Sequence, residues 1–165
     1  MPGTSSPPPS PKSCAPLRSF AALRQLFKLR AVLAACVVAI LLLMFSDAVL
    51  DHFKSPRNAG ELPGATSKVE VSNPVCGDVL QLAVRIENER IAEARFLCRG
   101  CTTSIACASL LTEQLRGRTL AEARSITAQS LSQSLGELPA ATFHGAELAA
   151  DAVQTLVRNI AANYR

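Results

Sequence analysis

The spacing of the apolar residues changes once along this chain, and that change restricts the possible folds more than any other feature. Before Gly100, apolar and polar residues alternate in three segments, 68–72, 78–87 and 90–97, as in half-buried β-strands. The residues predicted to face inward are Leu80, Leu82, Val84, Ile86, Ala92, Ala94 and Phe96, with Glu93 and Arg95 facing outward. Short turns separate the segments, so we predict an antiparallel meander with one apolar face.

After Gly100 the apolar residues recur at helical spacing. One helix is predicted through Ile105, Ala108, Leu111 and Leu115, with Thr102 or Thr103 as its N-cap near Cys101. Residues 119–125 and 128–135 predict short helices, and a long amphipathic helix begins near Gly145, with a stripe of Ala149, Ala152, Val153, Leu156, Val157 and Ile160. Ser46 can cap a first short helix over residues 47–53. Strands followed by helices predict an α+β fold, a three-stranded antiparallel sheet with helices packed on one face.

The net positive charge of the chain comes from its first 43 residues. This leader carries five basic residues and no acidic one, which leaves 12 basic and 13 acidic residues from residue 44 onward. The 165 residues suit one folded domain, which we assign to residues 44–165. Since a nucleic-acid-binding surface needs basic residues clustered on the domain, the sequence does not predict one.

The leader permits three interpretations. Residues 1–16 are rich in Pro and Ser, and residues 31–45 form an uninterrupted apolar run, shorter than the roughly 17 residues that a spanning helix needs. Translation could begin at Met44; the run could be a short membrane anchor with the domain facing the cytoplasm; or it could be an export signal, although no small-residue cleavage site follows it. The first two interpretations place the domain in a reducing, cytoplasmic compartment, and only a translated leader would involve a membrane.

Four of the six cysteines lie between residues 76 and 107, where metal or thiol chemistry is expected in a reducing compartment. Cys76 lies in a predicted bend, followed by Gly77 and by the carboxylate of Asp78. Cys101 lies at a predicted helix N-terminus, which stabilises a thiolate, and His144 precedes the last helix. If these junctions converge, the mixed sulfur, nitrogen and oxygen donors suit zinc or an iron–sulfur cluster.

Each of these residues also has a purely structural interpretation. A free cysteine is often a small buried hydrophobic residue, the histidine could be a satisfied structural residue, and the aspartate could cap a turn. Cys107 is predicted to be a core residue, because it lies six positions further along the helix than Cys101. His52 is predicted to lie on a helix surface or to cap a helix.

Four segments resemble the U-type scaffold family of iron–sulfur cluster assembly, that is IscU and the N-terminal domain of NifU. They read MFSDAVLDHFKSPRNAG, NPVCGD, ARFLCRGCTTSIACASLLTE and ELPAATFHGAELAADAV. The first segment begins at Met44, in agreement with translation from that residue. The resemblance implies a scaffold without enzymatic activity that takes sulfur from a cysteine desulfurase, gathers iron, builds a transient [2Fe–2S] cluster and passes it to recipient apo-proteins. It implies Cys76, Asp78, Cys101 and His144 as site residues, with zinc able to occupy the same site.

The chain departs from the family pattern at two places. The family has a third ligand cysteine directly after the histidine, where this chain has Gly145. The family's chaperone-docking stretch, Leu-Pro-Pro-Val-Lys, is here Leu138-Pro139-Ala140-Ala141-Thr142. The resemblance therefore does not carry docking of an Hsp70-type chaperone over to this chain.

Cys98 forms a Cys-x-x-Cys sequence with Cys101 and could replace the missing ligand. We therefore consider Cys98 as an additional ligand beside Cys76, Cys101 and His144 or Asp78; the alternative is a strand-end side chain packed beside Leu97. Two other functions stay open at this stage. One is a thiol–disulfide oxidoreductase that uses Cys98 and Cys101, and the other is a degenerate family member that binds only zinc, in a structural or regulatory role.

Overall fold

The computed structural model describes residues 45–163. The predicted leader, residues 1–43, and the predicted start at Met44 lie outside the described residues. Among the helices of residues 45–163, none is both long and apolar enough to cross a lipid bilayer.

The sheet consists of three antiparallel strands in the order β1-β2-β3, with bounds β1 Ser67–Ser72, β2 Val79–Glu87 and β3 Arg90–Arg99. Buried and exposed side chains alternate along β1, as expected for a strand with one face on the core. The inward residues Leu80, Leu82 and Val84 of β2 are almost fully buried. The predicted α+β fold with a three-stranded antiparallel sheet is therefore confirmed.

One residue of the third strand faces differently from the prediction. Ala92 was expected to point into the core, but it is only half-buried, whereas Ile91 is fully buried. The pairing of β2 with β3 shifts between Arg85, which pairs with Glu93, and Ile86, which pairs with Ile91. Because this bulge leaves Ala92 as the extra residue, it reverses the alternation at the start of β3.

One helix precedes the three strands in the described chain, and the other helices follow them. Their bounds are α1 Asp47–Lys54, α2 Thr102–Leu115, α3 Leu120–Arg124, α4 Ala128–Ser134 and α5 His144–Asn163, with a 3-10 helix at Ala140–Thr142. Ser46 caps α1 by accepting a hydrogen bond from the Val49 N–H, as predicted. The core lies between the apolar sheet face and the long helices α2 and α5, whose buried residues include Leu111 and Leu156.

Candidate metal centre

Three chain junctions meet at one end of the sheet. The turn between β1 and β2 carries Cys76 and Asp78, and Cys101 follows the end of β3. The register brings the two together, because Val79 at the start of β2 pairs with Arg99 at the end of β3. His144 is the first residue of α5, and not a residue of the preceding loop as the sequence had suggested.

The β1–β2 turn is held by its own hydrogen bonds and presents Cys76 outward. The Gly77 N–H donates to the Asn73 carbonyl at 2.8 Å, and the Asn73 N–H donates to the Asp78 carbonyl at 2.9 Å. Gly77 has φ +73°, a conformation that residues with a Cβ rarely adopt. Cys76 is consequently exposed, next to Val75, whose surface is 92% exposed.

Cys101 is itself the N-cap of α2. Its Sγ accepts a hydrogen bond from the Ser104 N–H at 3.4 Å, and the Thr103 Oγ1 lies 3.0 Å from the same sulfur. The expectation that Thr102 or Thr103 caps this helix was therefore wrong, because both already belong to its first turn. The position at the helix N-terminus places the backbone N–H groups of the first turn and the positive end of the helix dipole beside the thiol.

Asp78 is almost completely buried, with 6% of its surface exposed. Its Oδ2 accepts hydrogen bonds from the Ser104 hydroxyl at 2.5 Å and from the Cys101 N–H at 3.3 Å. Burial by itself raises the pKa of Asp78, but the hydrogen bonds from Ser104, Cys101 and Cys76 outweigh it, and the net pKa lies below its ordinary value. The carboxylate is therefore held in the charged form that a cation requires.

Among the described residues, one ligand atom each from Cys76, Asp78 and His144 lies within 4.8 Å of the other two. Cys101, the fourth residue of the predicted set, is not part of this group, but its sulfur lies 3.9 Å from the Nε2 atom of His144, beside the same space. Two sulfurs, one imidazole and one carboxylate form a donor set that suits zinc or iron. By donor chemistry and spacing, these side chains fit a metal ion or a metal cluster.

The thiols of Cys98 and Cys107 lie in different environments from those of Cys76 and Cys101. Cys98 pairs with Leu80 within the sheet, and its half-buried side chain packs against the core. Burial, followed by the charges of Asp78 and Cys101, raises the pKa of Cys98 to about 12. Cys107 is completely buried, as predicted, and burial also raises its pKa to about 12. Within residues 45–163, Cys98, like Cys101, is outside the group that converges within 4.8 Å, but only Cys101 has a sulfur contact with His144.

Gly145 allows α5 to lie directly against the first turn of α2. A Cβ atom placed on Gly145 would come within 2.9 Å of the Ser104 backbone nitrogen and 3.0 Å of the Thr103 carbonyl carbon. Carbon atoms in ordinary van der Waals contact are about 3.5–4.0 Å apart. The residue after His144 is thus a point of close helix contact and has no side chain to contribute to the site.

His52 is a buried residue and does not lie on the helix surface, contrary to the prediction. Its Nδ1 lies 2.9 Å from the Ser109 hydroxyl of α2. Burial and then the charge of Arg57 lower the pKa of His52, while the charges of Glu113 and Asp51 act in the opposite direction. The contact joins α1 to α2 across 57 residues of sequence, which explains why local periodicity did not reveal it.

Sequence reasoning also missed Ser104, which contacts both Asp78 and Cys101. Its position three residues after the N-cap is a local signal only for a contact with Cys101, because Asp78 lies 26 residues away in sequence. The signal was overlooked because Cys101 was not recognised as the cap.

The domain is similar in sequence to known proteins. A family model described as the NifU-like N-terminal domain matches residues 44–164. The iron–sulfur cluster assembly scaffold protein IscU 1 of Archaeoglobus fulgidus is 40% identical over 114 residues, which cover 69% of this chain and 74% of that protein. The scaffold protein IscU of Azotobacter vinelandii is 40% identical over 119 residues, covering 70% of this chain and 92% of that protein.

A solved structure has a similar fold. It is a candidate iron–sulfur cluster assembly scaffold protein for the SUF system from Fervidobacterium islandicum AW-1. Its TM-score is 0.54 at 19% sequence identity, with 70% of this chain and 97% of that chain covered.

Proposed function

This chain belongs to the family of NifU-like N-terminal domains, and from that premise we propose that it is a scaffold for iron–sulfur cluster assembly. Iron and a transient [2Fe–2S] cluster are the cargo that it builds and releases, so its role is assembly and not enzymatic turnover. The observation that carries the proposal is the convergence of Cys76, Asp78 and His144 within 4.8 Å at one end of the sheet. Cys101, 3.9 Å from His144, completes the proposed ligand set.

The uneven exposure of the two thiols supports a transfer role. Cys76 is exposed on its turn, whereas Cys101 is half-buried and hydrogen-bonded to the first turn of α2. Thiolate ligands exchange faster when an incoming thiol can reach them. We propose that cargo is released from the Cys76 side and retained longest at Cys101.

Partners follow from the same proposal. A cysteine desulfurase would supply the sulfur, and apo iron–sulfur proteins would receive the cluster. Free thiolates require a reducing compartment, so we propose that the domain acts in the cytoplasm. Docking of an Hsp70-type chaperone is not part of the proposal, because the stretch from Leu138 to Thr142 lacks the second proline and the lysine of the family motif.

Anaerobic reconstitution of the full chain with iron and sulfide tests the proposal. The cysteines at positions 14 and 36 are first replaced by serine, so that only the domain's thiols remain. We expect a visible cluster absorbance with equal amounts of iron and sulfide, lost in Cys76→Ser and in Cys101→Ser. Failure of the parent chain to hold any cluster, or retention of the full cluster by both variants, would contradict the proposal.

Cys98→Ser is the matched substitution in this experiment, because it removes the other thiol of the Cys-x-x-Cys sequence. The half-buried side chain of Cys98 packs against the core and its residue pairs with Leu80 in the sheet, so we expect this variant to keep its cluster. Loss of the cluster comparable to that in Cys101→Ser would establish Cys98 as the replacement ligand. Cys98 lies near the end of a strand of an antiparallel sheet and not in the βαβ setting typical of redox Cys-x-x-Cys motifs, which disfavours a thiol–disulfide oxidoreductase.

A second candidate function is zinc binding alone, and the packing at Gly145 favours it. Without a third cysteine the site offers two sulfurs, one carboxylate and one imidazole, which is a complete four-donor set for a single zinc ion. Structural zinc contributes free energy of folding. Chelation should therefore unfold the domain if zinc is structural, whereas a transfer scaffold should remain folded without metal, as measured by far-ultraviolet circular dichroism.

A further inference from the structure

The Ser104 hydroxyl lies between two of the proposed ligands. Its oxygen is 2.5 Å from the Asp78 Oδ2 and 3.3 Å from the Cys101 Sγ. The residue is buried, with 1% of its surface exposed, in the first turn of α2. A hydroxyl in this position can influence the carboxylate and the thiol at the same time.

The single hydroxyl hydrogen of Ser104 is donated to the carboxylate of Asp78. A serine hydroxyl has a single hydrogen to donate, and the geometry directs it to the Asp78 Oδ2. The thiol has other donors, since the Thr103 Oγ1 is 3.0 Å from the Cys101 sulfur and the Ser104 backbone N–H is 3.4 Å from it. The Cys101 N–H donates to the same Oδ2 atom at 3.3 Å, so two donors converge on one oxygen of Asp78.

Close backbone contacts fix this arrangement on both sides. A Cβ on Gly100 would lie 2.7 Å from the Asp78 Cγ atom, so the carboxyl group lies directly on the backbone of residue 100. A Cβ on Gly145 would lie 2.9 Å from the Ser104 nitrogen. The Asp78 carboxyl group is therefore packed closely against the backbone of Gly100, and the Ser104 backbone is packed closely against the start of α5.

We propose that Ser104 is a positioning residue for metal capture, whose hydroxyl engages the Oδ2 of Asp78 and leaves Oδ1 as the oxygen presented to the metal beside Cys76 and His144. The inference rests on the proposed function, since it concerns the same site. Outer partners of this kind orient ligating carboxylates, and their loss typically lowers metal affinity by about 10–100-fold.

The test measures the affinity of the full chain for two metal ions. Binding of Co²⁺ is monitored by the visible absorbance of the bound ion, and the affinity for Zn²⁺ is obtained by competition with Co²⁺. We expect the dissociation constant of Ser104→Ala to rise about 10–100-fold. Ser109→Ala is the matched control: Ser109 is a fully buried serine of the same helix whose hydroxyl contacts His52 and the Arg57 N–H instead of the site. We expect Ser109→Ala to bind with the affinity of the parent chain.

A double-substitution cycle separates positioning from general stability. In an Asp78→Ala background the serine has no carboxylate to orient, so Ser104→Ala should cause no further loss of affinity. The conservative variant Ser104→Thr keeps the hydroxyl and should bind more tightly than Ser104→Ala. Thermal unfolding of each variant, recorded without metal, identifies any change that arises from folding alone.

The outcomes distinguish this inference from the proposed function. A parent chain that binds neither Co²⁺ nor Zn²⁺ would overturn this inference, whereas the proposed function is decided separately by the cluster reconstitution. Metal binding by the parent, with equal affinity in Ser104→Ala and Ser109→Ala, would overturn only the role of Ser104. The role of Ser104 would also be overturned if Ser104→Ala lowered the affinity in the Asp78→Ala background as much as it does in the parent chain. A folded Ser104→Thr variant that binds as weakly as Ser104→Ala would overturn it too.

Discussion

Replacement of Gly145 by alanine adds one carbon at the closest contact between α5 and α2. The new Cβ would stand 2.9 Å from the Ser104 nitrogen, 3.0 Å from the Thr103 carbonyl carbon and 3.2 Å from the Ser104 Cα. All three are backbone atoms inside a helix, so no side chain can rotate away to relieve the contact. One of the two helices must move.

The expected cost follows from two opposing terms. Overpacking of a close contact by one carbon costs about 1–3 kcal/mol. Replacing glycine by alanine within a helix contributes up to about 1 kcal/mol in the opposite direction. Because the three contacted atoms are helix backbone, we take the upper part of the steric range, about 2–3 kcal/mol. After subtraction of about 1 kcal/mol for helix propensity, we expect Gly145→Ala to lower the free energy of unfolding by about 1–2 kcal/mol, which for a domain of this size is a fall of about 3–10 °C in the midpoint of thermal unfolding.

The assay is thermal and urea unfolding of the full chain without metal, followed by circular dichroism. Ala161→Gly is the reference for helix propensity, because Ala161 is an exposed residue of the same helix. Its effect measures the glycine–alanine difference where no close contact exists. Subtracting that difference from the result for Gly145→Ala isolates the steric term.

The reasoning would be refuted by a Gly145→Ala variant as stable as the parent chain, or more stable. Such a result would mean that α5 can withdraw from α2 at no cost. The same contact bears on the cysteine that the family resemblance assigns to this position. We expect Gly145→Cys to be at least as destabilising as Gly145→Ala, because it brings the same Cβ into the same contact.

Two further predictions concern pH and thiol reactivity. Because burial lowers the pKa of His52 below its ordinary 6.5, the unfolded chain takes up a proton more readily; stability is therefore complete above pH 6.5 and falls as the pH is lowered through that value. His52→Asn should weaken this dependence in urea unfolding at pH 7.5 and pH 5.0. A His52→Asn variant with the same pH dependence as the parent chain would contradict the assignment. With the two leader cysteines replaced by serine, iodoacetamide should modify the exposed Cys76 first and the buried Cys107 only after unfolding, as mass spectrometry of digests would reveal. Equal rates at these two cysteines in the folded protein would contradict the burial described here, and added zinc should slow modification of Cys76.

Local patterns were sufficient for most of the secondary structure. Alternation in residues 78–87 predicted β2, and Ser46 was correctly identified as the cap of α1. The prediction failed at Ala92, because a bulge depends on how two strands pair and not on the sequence of either strand. It failed at His52 for a similar reason, since the Ser109 partner lies on a different helix.

For the candidate site, the sequence determined which chemistry is available, and the tertiary structure decided how it is arranged. The residue types and the junctions that carry them, Cys76 with Asp78, Cys101 and His144, were readable because turns and helix starts leave local signals. Their convergence depends on the β2–β3 register and on the position of α5. The hydrogen bond from Ser104 to Asp78 and the close contact of Gly145 with the first turn of α2 both join segments that are distant in sequence. Such contacts are set by packing between elements, which no local sequence pattern encodes.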